Sequence, residues 1–212
     1  MFPDNVVGRL SLYRRLLRVL VNRGVRYVFS HDLAAMARVT AAQVRRDVMQ
    51  LGFSGSPARG YDVQGLTDSI GAALDNPAGE DVALVGIGKL GRAILAFFEG
   101  RRPKLRIAAA FDTDAAKINR VIHGCRCYPF EELEGVLHRQ GIRCAIITVP
   151  VDAAQAVAGK LVRAGVKGIL NFAPAPLVVP DSVYVESMDV TTALEKVAYF
   201  GRQLLSERKG SQ

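Results

Sequence analysis

Three glycines and one aspartate carry the clearest chemistry in the sequence. Gly86-Ile87-Gly88-Lys89-Leu90-Gly91 follows the apolar run Val82-Ala83-Leu84-Val85 and opens a helical pattern over 93–98. In a strand–turn–helix unit the first glycine permits the tight turn. The second lets backbone approach a pyrophosphate, and the third lets helix and strand pack closely. Unpaired N–H groups and the dipole at the helix start favour the anion. A second apolar run, Leu105 to Phe111, ends in Asp112, 21 positions beyond Gly91. A carboxylate about 20 residues on accepts from a ribose hydroxyl and repels a 2′-phosphate, so the spacing predicts NAD rather than NADP. The competing reading is a Gly-rich turn of another α/β domain, with Asp112 capping the next helix.

A second set of residues suits a polyanion. Residues 1–60 hold ten arginines, no lysine and three acids (Asp4, Asp32, Asp47), which is +7 of the chain's net +8. Arginine gives bidentate contact with phosphate or guanine. A solvated basic helix face is the plainer alternative. Thr40-Ala41-Ala42-Gln43 reads as a capping box opening a helix to about Leu51, with Val44, Val48 and Leu51 inward. Gln43, Arg46 and Gln50 lie opposite, with Arg45 beside them. Ser30 reads as the N-cap of a short preceding helix, His31 to Ala37. Together these make a helix-turn-helix whose second helix presents Gln and Arg to base edges.

The elements around these residues follow from periodicity. Residues 7–23 form a helix with Leu10, Tyr13, Leu16, Leu17 and Leu20 inward. Phe53 to Val63 reads as a hairpin, the wing of a winged helix, with Arg59 near its tip suited to a narrow minor groove. Leu66, Ile70, Ala73 and Leu74 mark a further helix, and Asn76-Pro77-Ala78-Gly79 a domain boundary. Beyond Asp112, βα alternation continues: a strand at 126–128, a helix at 130–139, a buried parallel strand at 144–149, a helix at 152–164 and a strand at 168–172. A last strand is expected at 183–186 and a last helix from Asp189 to about Ser206. Only the tail, 209–212, reads as disordered. The fold class is therefore α/β: a winged helix-turn-helix domain (1–79), a Rossmann doubly wound parallel sheet (80–188) and a C-terminal helix with tail (189–212).

Composition narrows the function. Half the residues are hydrophobic, yet no apolar run reaches the ~20 residues of a membrane span. The N-terminus lacks a basic segment followed by an apolar one, so a cytoplasmic protein is expected. Cys125, Cys127 and Cys144 form neither a CxxC pair nor an even set, and buried structural thiols are expected of the first two. No metal site and no catalytic residue is called. The rival class is an NAD-dependent dehydrogenase with a helical N-terminal extension, which needs a general acid near the nicotinamide. His31, His123 and His138 lie away from the motifs expected there, Lys167 enters rather than leaves its strand, and no substrate domain remains. A CoA-binding module is a second rival, which Asp112 disfavours.

The whole chain resembles the Rex family of redox-sensing transcriptional repressors. The resemblance rests on Val39-Thr40-Ala41-Ala42-Gln43-Val44-Arg45-Arg46-Asp47, on Arg59-Gly60-Tyr61, on the Gly86–Gly91 turn, on Thr148-Val149-Pro150, and on the stretch from Gly165 to Pro174. It implies a homodimer with a swapped C-terminal helix, NAD(H) as the sensed cofactor, and an inverted-repeat operator DNA. NADH would close the dimer and release the DNA, and NAD+ would compete while permitting binding. It assigns Gln43, Arg45, Arg46 and Arg59 to DNA. Gly86, Ile87, Gly88, Lys89, Leu90, Gly91 and Asp112 fall to the adenosine and pyrophosphate side. Thr148, Val149, Pro150, Asn171 and Phe172 fall to the nicotinamide side. A redox-dependent Arg–Tyr–Asp switch of some members maps to Arg15 and Asp189, with Phe97 at the tyrosine position and hence no hydroxyl.

Overall fold

The structure is a computed structural model that describes residues 2–100 and 104–209, with side chains through Leu204. The chain divides after Ala78 into two compact units. The first contains α1 (Asp4–Asn22), β1 (Tyr27–Val28), α2 (Ser30–Ala37), α3 (Ala41–Gln50), β2 (Tyr61–Asp62) and α4 (Val63–Leu74). Its core takes Leu10, Tyr13 and Leu17 from α1, Leu33 from α2, Val44 and Val48 from α3, and Leu66 and Ile70 from α4. These recur at three- and four-residue spacing, so each helix buries one stripe.

Local chemistry departs from the sequence reading at three places. Thr40 caps α3, its hydroxyl oxygen accepting from the Gln43 N–H at 3.1 Å. The Gln43 side chain does not return to complete the box; it donates to Asp47 at 2.8 Å, where a buried carboxylate is the stronger acceptor. Ser30 is the first residue of α2 rather than its cap, and its hydroxyl oxygen accepts from Arg45 at 3.0 Å. The wing is smaller than expected. A single bridge joins Ser56 to Gly60, and β2 pairs antiparallel with β1. Gly60 (φ +79°) is required there, since a Cβ would strike the Val28 carbonyl oxygen.

The second unit is a seven-stranded sheet in the order β5-β6-β4-β3-β7-β8-β9. The strands are β3 (Glu80–Val85), β4 (Leu105–Asp112), β5 (Arg120–Ile122), β6 (Cys125–Pro129), β7 (Cys144–Ile147), β8 (Gly168–Asn171) and β9 (Tyr184–Ser187). Every pair is parallel except β5–β6. Strand β5 was not legible: it is three residues long and half of a hairpin turned at His123 (φ 48°) and Gly124 (φ 74°). Helices α6 (Leu133–Gln140, preceded by a 3₁₀ turn) and α7 (Val151–Arg163) cover one face. Helix α5 (Lys89–Phe98) covers part of the other. Where α5 stops, that second face keeps an apolar hollow of about 240 Å³, with Val82, Phe98, Ile107, Cys144, Ile146 and Leu170 in its walls.

Helix α8 (Val190–Lys209) leaves Val190, Leu194, Val197, Phe200 and Leu204 exposed. Leu205, expected on the apolar side of α8, lies outside the described side chains; of the tail expected to be disordered, Lys209 is the last residue of the helix and 210–212 lie outside the described residues. Cys125 and Cys127 are buried, and burial pushes the Cys125 thiol up to about 11. Burial thus favours its neutral thiol form.

Candidate nucleotide cleft and nucleic-acid interface

The strand order reverses at β3, which has β4 on one side and β7 on the other. Ligands of doubly wound sheets sit outside the strand ends at such a point, and the Gly-rich turn occupies it. Gly86 has φ +98°, and a Cβ there would lie 2.8 Å from the Thr148 carbonyl oxygen. A Cβ on Gly91 would overlap the Gly86 carbonyl oxygen, whereas Gly88 faces open space. Gly88 also begins α5 without a side-chain cap, which leaves the first N–H groups of that helix to an anion.

The turn is held by its neighbours. The Thr148 hydroxyl donates to the carbonyl oxygens of Gly86 (2.7 Å) and Val85 (3.1 Å). The Ile87 N–H donates to Asp112 Oδ2 at 2.7 Å. Asp112 Oδ2 also takes Lys117 Nζ at 3.3 Å, and Oδ1 takes the Asp114 N–H at 2.9 Å. Burial works to raise the Asp112 carboxyl, but the N–H bonds from Asp114 and Ile87 and the nearby Lys117 ammonium outweigh it, and the group sits below its ordinary value. Oδ1 keeps one acceptor site for a hydroxyl.

These residues border a cleft of about 560 Å³. Gly86, Gly88, Lys89, Leu90, Asp112, Thr148, Val149 and Pro150 line it. Ile87 is fully buried and contributes its N–H, and Gly91 serves the packing beneath the turn. Asn171 and Phe172 are not in its wall. Asn171 is fully buried, its amide donating to the Ala173 and Ala175 carbonyls and accepting from the Ala173 N–H. Phe172 packs on the opposite face of the sheet, in the cluster with Leu84 and Ile87. Sequence reasoning missed Lys117, Phe130, Ala153 and Val157, which also line the cleft. The small residues of α7 at helical spacing were the available signal.

In the first unit, Arg46 is exposed on α3, while Gln43 is half-buried. Arg59 lies over the Tyr27 ring, its guanidinium carbon 5.7 Å from the centroid. Asp47, fully buried, was not anticipated. Arg9 Nε and Nη2 donate to its two oxygens at 2.7 and 2.8 Å, and the Tyr13 hydroxyl donates at 3.0 Å. Asp47 falls on the inward stripe with Val44, Val48 and Leu51, but an ionisable residue at such a position does not by itself announce its partners. Arg14, next to the exposed Arg15, pairs with Asp75. Asp189 caps α8, accepting from the Thr192 N–H (3.0 Å) and hydroxyl (2.7 Å). Among the described residues no cluster of His, Cys, Asp and Glu could hold a metal ion. Nor is any described helix long and apolar enough to cross a membrane.

Comparison with known proteins agrees with this division. A family model described as "Putative DNA-binding protein N-terminus" matches residues 2–48, and one described as a CoA binding domain matches residues 79–175. The redox-sensing transcriptional repressor Rex of Roseiflexus sp. (strain RS-1) is 42% identical over 99% of this chain and 96% of its own. The Rex-family repressor RSP, solved with β-NAD+ and operator DNA, superposes with a TM-score of 0.86 at 30% identity, covering 99% of this chain and 98% of its own. RSP solved with β-NADH gives the same TM-score at 29% identity and the same coverage. With both units, the Gly-rich cleft and near full-length identity in agreement, the chain belongs to the Rex family of redox-sensing transcriptional repressors.

Proposed function

We infer that this protein is a homodimeric repressor that binds an inverted-repeat operator through α3 and reads the NADH/NAD+ ratio at the Gly-rich cleft. The observation that carries the reading is the cleft itself. Gly88 is open, the α5 N–H groups are uncapped, and Asp112 both pins the turn and keeps one acceptor site. Phosphate and ribose chemistry suits those groups, and Lys89 adds positive charge to the wall. The relative RSP binds β-NAD+ with operator DNA and also binds β-NADH.

The domains divide as 1–79 for DNA, 80–188 for the dinucleotide and 189–212 for dimerisation. The exposed apolar side of α8 and the uncovered hollow on the sheet are complementary in character, which supports a swapped helix as the dimer contact. Arg45, Arg46 and Arg59 meet the operator, with Arg45 also tethered to Ser30. Thr148 positions the turn, and Val149 and Pro150 present an apolar wall that favours the neutral reduced ring. Asn171 and Phe172 act by holding the loop and sheet behind that wall. Asp189 acts first as a helix cap, and Arg15 stands exposed for the partner. By linkage, the ligand form that binds the DNA-free state better releases the DNA.

The protein works in the cytoplasm and is not an enzyme. Among the described residues no histidine lines the cleft. Of its lysines, Lys89 belongs to the glycine-rich turn and Lys117 is paired with Asp112, an arrangement that suits nucleotide binding better than a general acid at the nicotinamide. Calorimetric titration with NADH, NAD+ and coenzyme A in competition tests the reading. NADH is expected to bind and coenzyme A to fail to displace it. Displacement by coenzyme A, or oxidation of NADH by a small carbonyl, would overturn it.

A further inference from the structure

Asp47 is fully buried in the first unit, at the centre of a cluster whose other charged member, Arg9, is only partly buried. Its Oδ2 accepts from Arg9 Nε (2.7 Å) and the Tyr13 hydroxyl (3.0 Å), and its Oδ1 from Arg9 Nη2 and Gln43 Nε2 (both 2.8 Å). Each oxygen thus holds two donors, and no acceptor site remains. Burial opposes ionisation, but the bonds from Arg9, Gln43 and Tyr13 prevail and keep the carboxyl below its ordinary value. An ionised carboxylate can only accept, so the amide of Gln43 must turn its nitrogen inward. The carbonyl Oε1 is left without a protein partner among the described residues.

We propose that Asp47 is a positioning residue that sets the base preference of α3 by fixing the Gln43 amide, carbonyl outward. This rests on the reading of α3 as the DNA-reading helix. With its nitrogen held, Gln43 presents an acceptor to the major groove. It favours bases with an exocyclic amino donor there, adenine N6 or cytosine N4, over thymine O4 and guanine O6. Arg9 belongs to the device because its two bonds hold the carboxylate ionised and still, whereas the single Tyr13 bond adds stability without fixing the Gln43 amide.

Enrichment of binding sites from a randomised duplex pool tests the idea. The wild type is expected to prefer an amino-bearing base at one position per half-site, by roughly tenfold. The triple variant Arg9→Met, Tyr13→Phe, Asp47→Leu replaces the buried cluster with apolar side chains of similar volume, an exchange that commonly preserves folding. It should lose that preference to within about twofold while keeping the others. Tyr13→Phe alone should lower stability and leave the preference unchanged, which separates positioning from plain structural support. Gln43→Ala should abolish the same preference as the triple variant. Unchanged selectivity in the triple variant would overturn the inference, as would a preference that moved equally at every position. If the wild type enriched no sequence, the DNA reading itself would fall.

Discussion

At the scale of single residues, the account depends on a few groups whose geometry leaves little latitude. Gly91→Ala places a methyl group on the Gly86 carbonyl oxygen. It should cost on the order of 1–3 kcal/mol and weaken NADH binding at least tenfold by titration. Asp112→Ala removes the tie to the Ile87 N–H and the acceptor proposed for the ribose. NADH should bind much more weakly and repression should become insensitive to it; release of DNA at the wild-type NADH concentration would refute the assignment. Arg46→Ala should abolish operator binding and leave NADH affinity intact. Asp47 supplies a pH test. Its carboxyl lies below the ordinary value when folded, so its stabilisation is complete above the unfolded pKa of about 4 and is lost as pH falls through the folded value. Thermal unfolding of the wild type should therefore shift down on acidification more steeply than that of the apolar triple variant. Parallel curves would show that the network contributes nothing.

At the scale of elements, the sequence was most informative where a stripe or an apolar run was long. Helices α1, α4 and α7 and strands β3, β4 and β7 announce themselves through repeated burial of one face. Short or polar pieces do not: β5 has three residues, and the wing holds itself with one bridge. Site residues followed the same rule. The Gly-rich turn was legible because glycine is demanded by contacts of its own backbone. Asn171 and Phe172 lie outside the cleft wall, since a strand-end motif does not reveal whether a side chain is turned into the loop or onto the other face of the sheet. Asp47 is held chiefly by Arg9 and Tyr13, more than 30 residues away in sequence, which no spacing records. Helix α8 gives the element-scale prediction: a chain ending at Asp189 loses the apolar side formed by Val190, Leu194, Val197 and Leu204. Light scattering should find it monomeric, with weakened operator binding; a stable dimer would place the contact elsewhere.

At the scale of the molecule, the proposed division gives one unit a polyanion and the other a dinucleotide, and on that reading the two must share free energy. A ligand shifts DNA affinity only by its differential affinity for the DNA-bound and DNA-free states. Moving a population across the useful range takes a differential of a few kcal/mol. NADH and NAD+ differ at the nicotinamide ring, and on the proposed assignment the cleft wall at Val149 and Pro150 is where that difference is read. The most direct test is operator affinity of the purified protein at fixed salt, titrated separately with NADH and NAD+. The account predicts that saturating NADH weakens binding by at least tenfold while NAD+ leaves it nearly unchanged. Equal operator affinity with either form bound would contradict it.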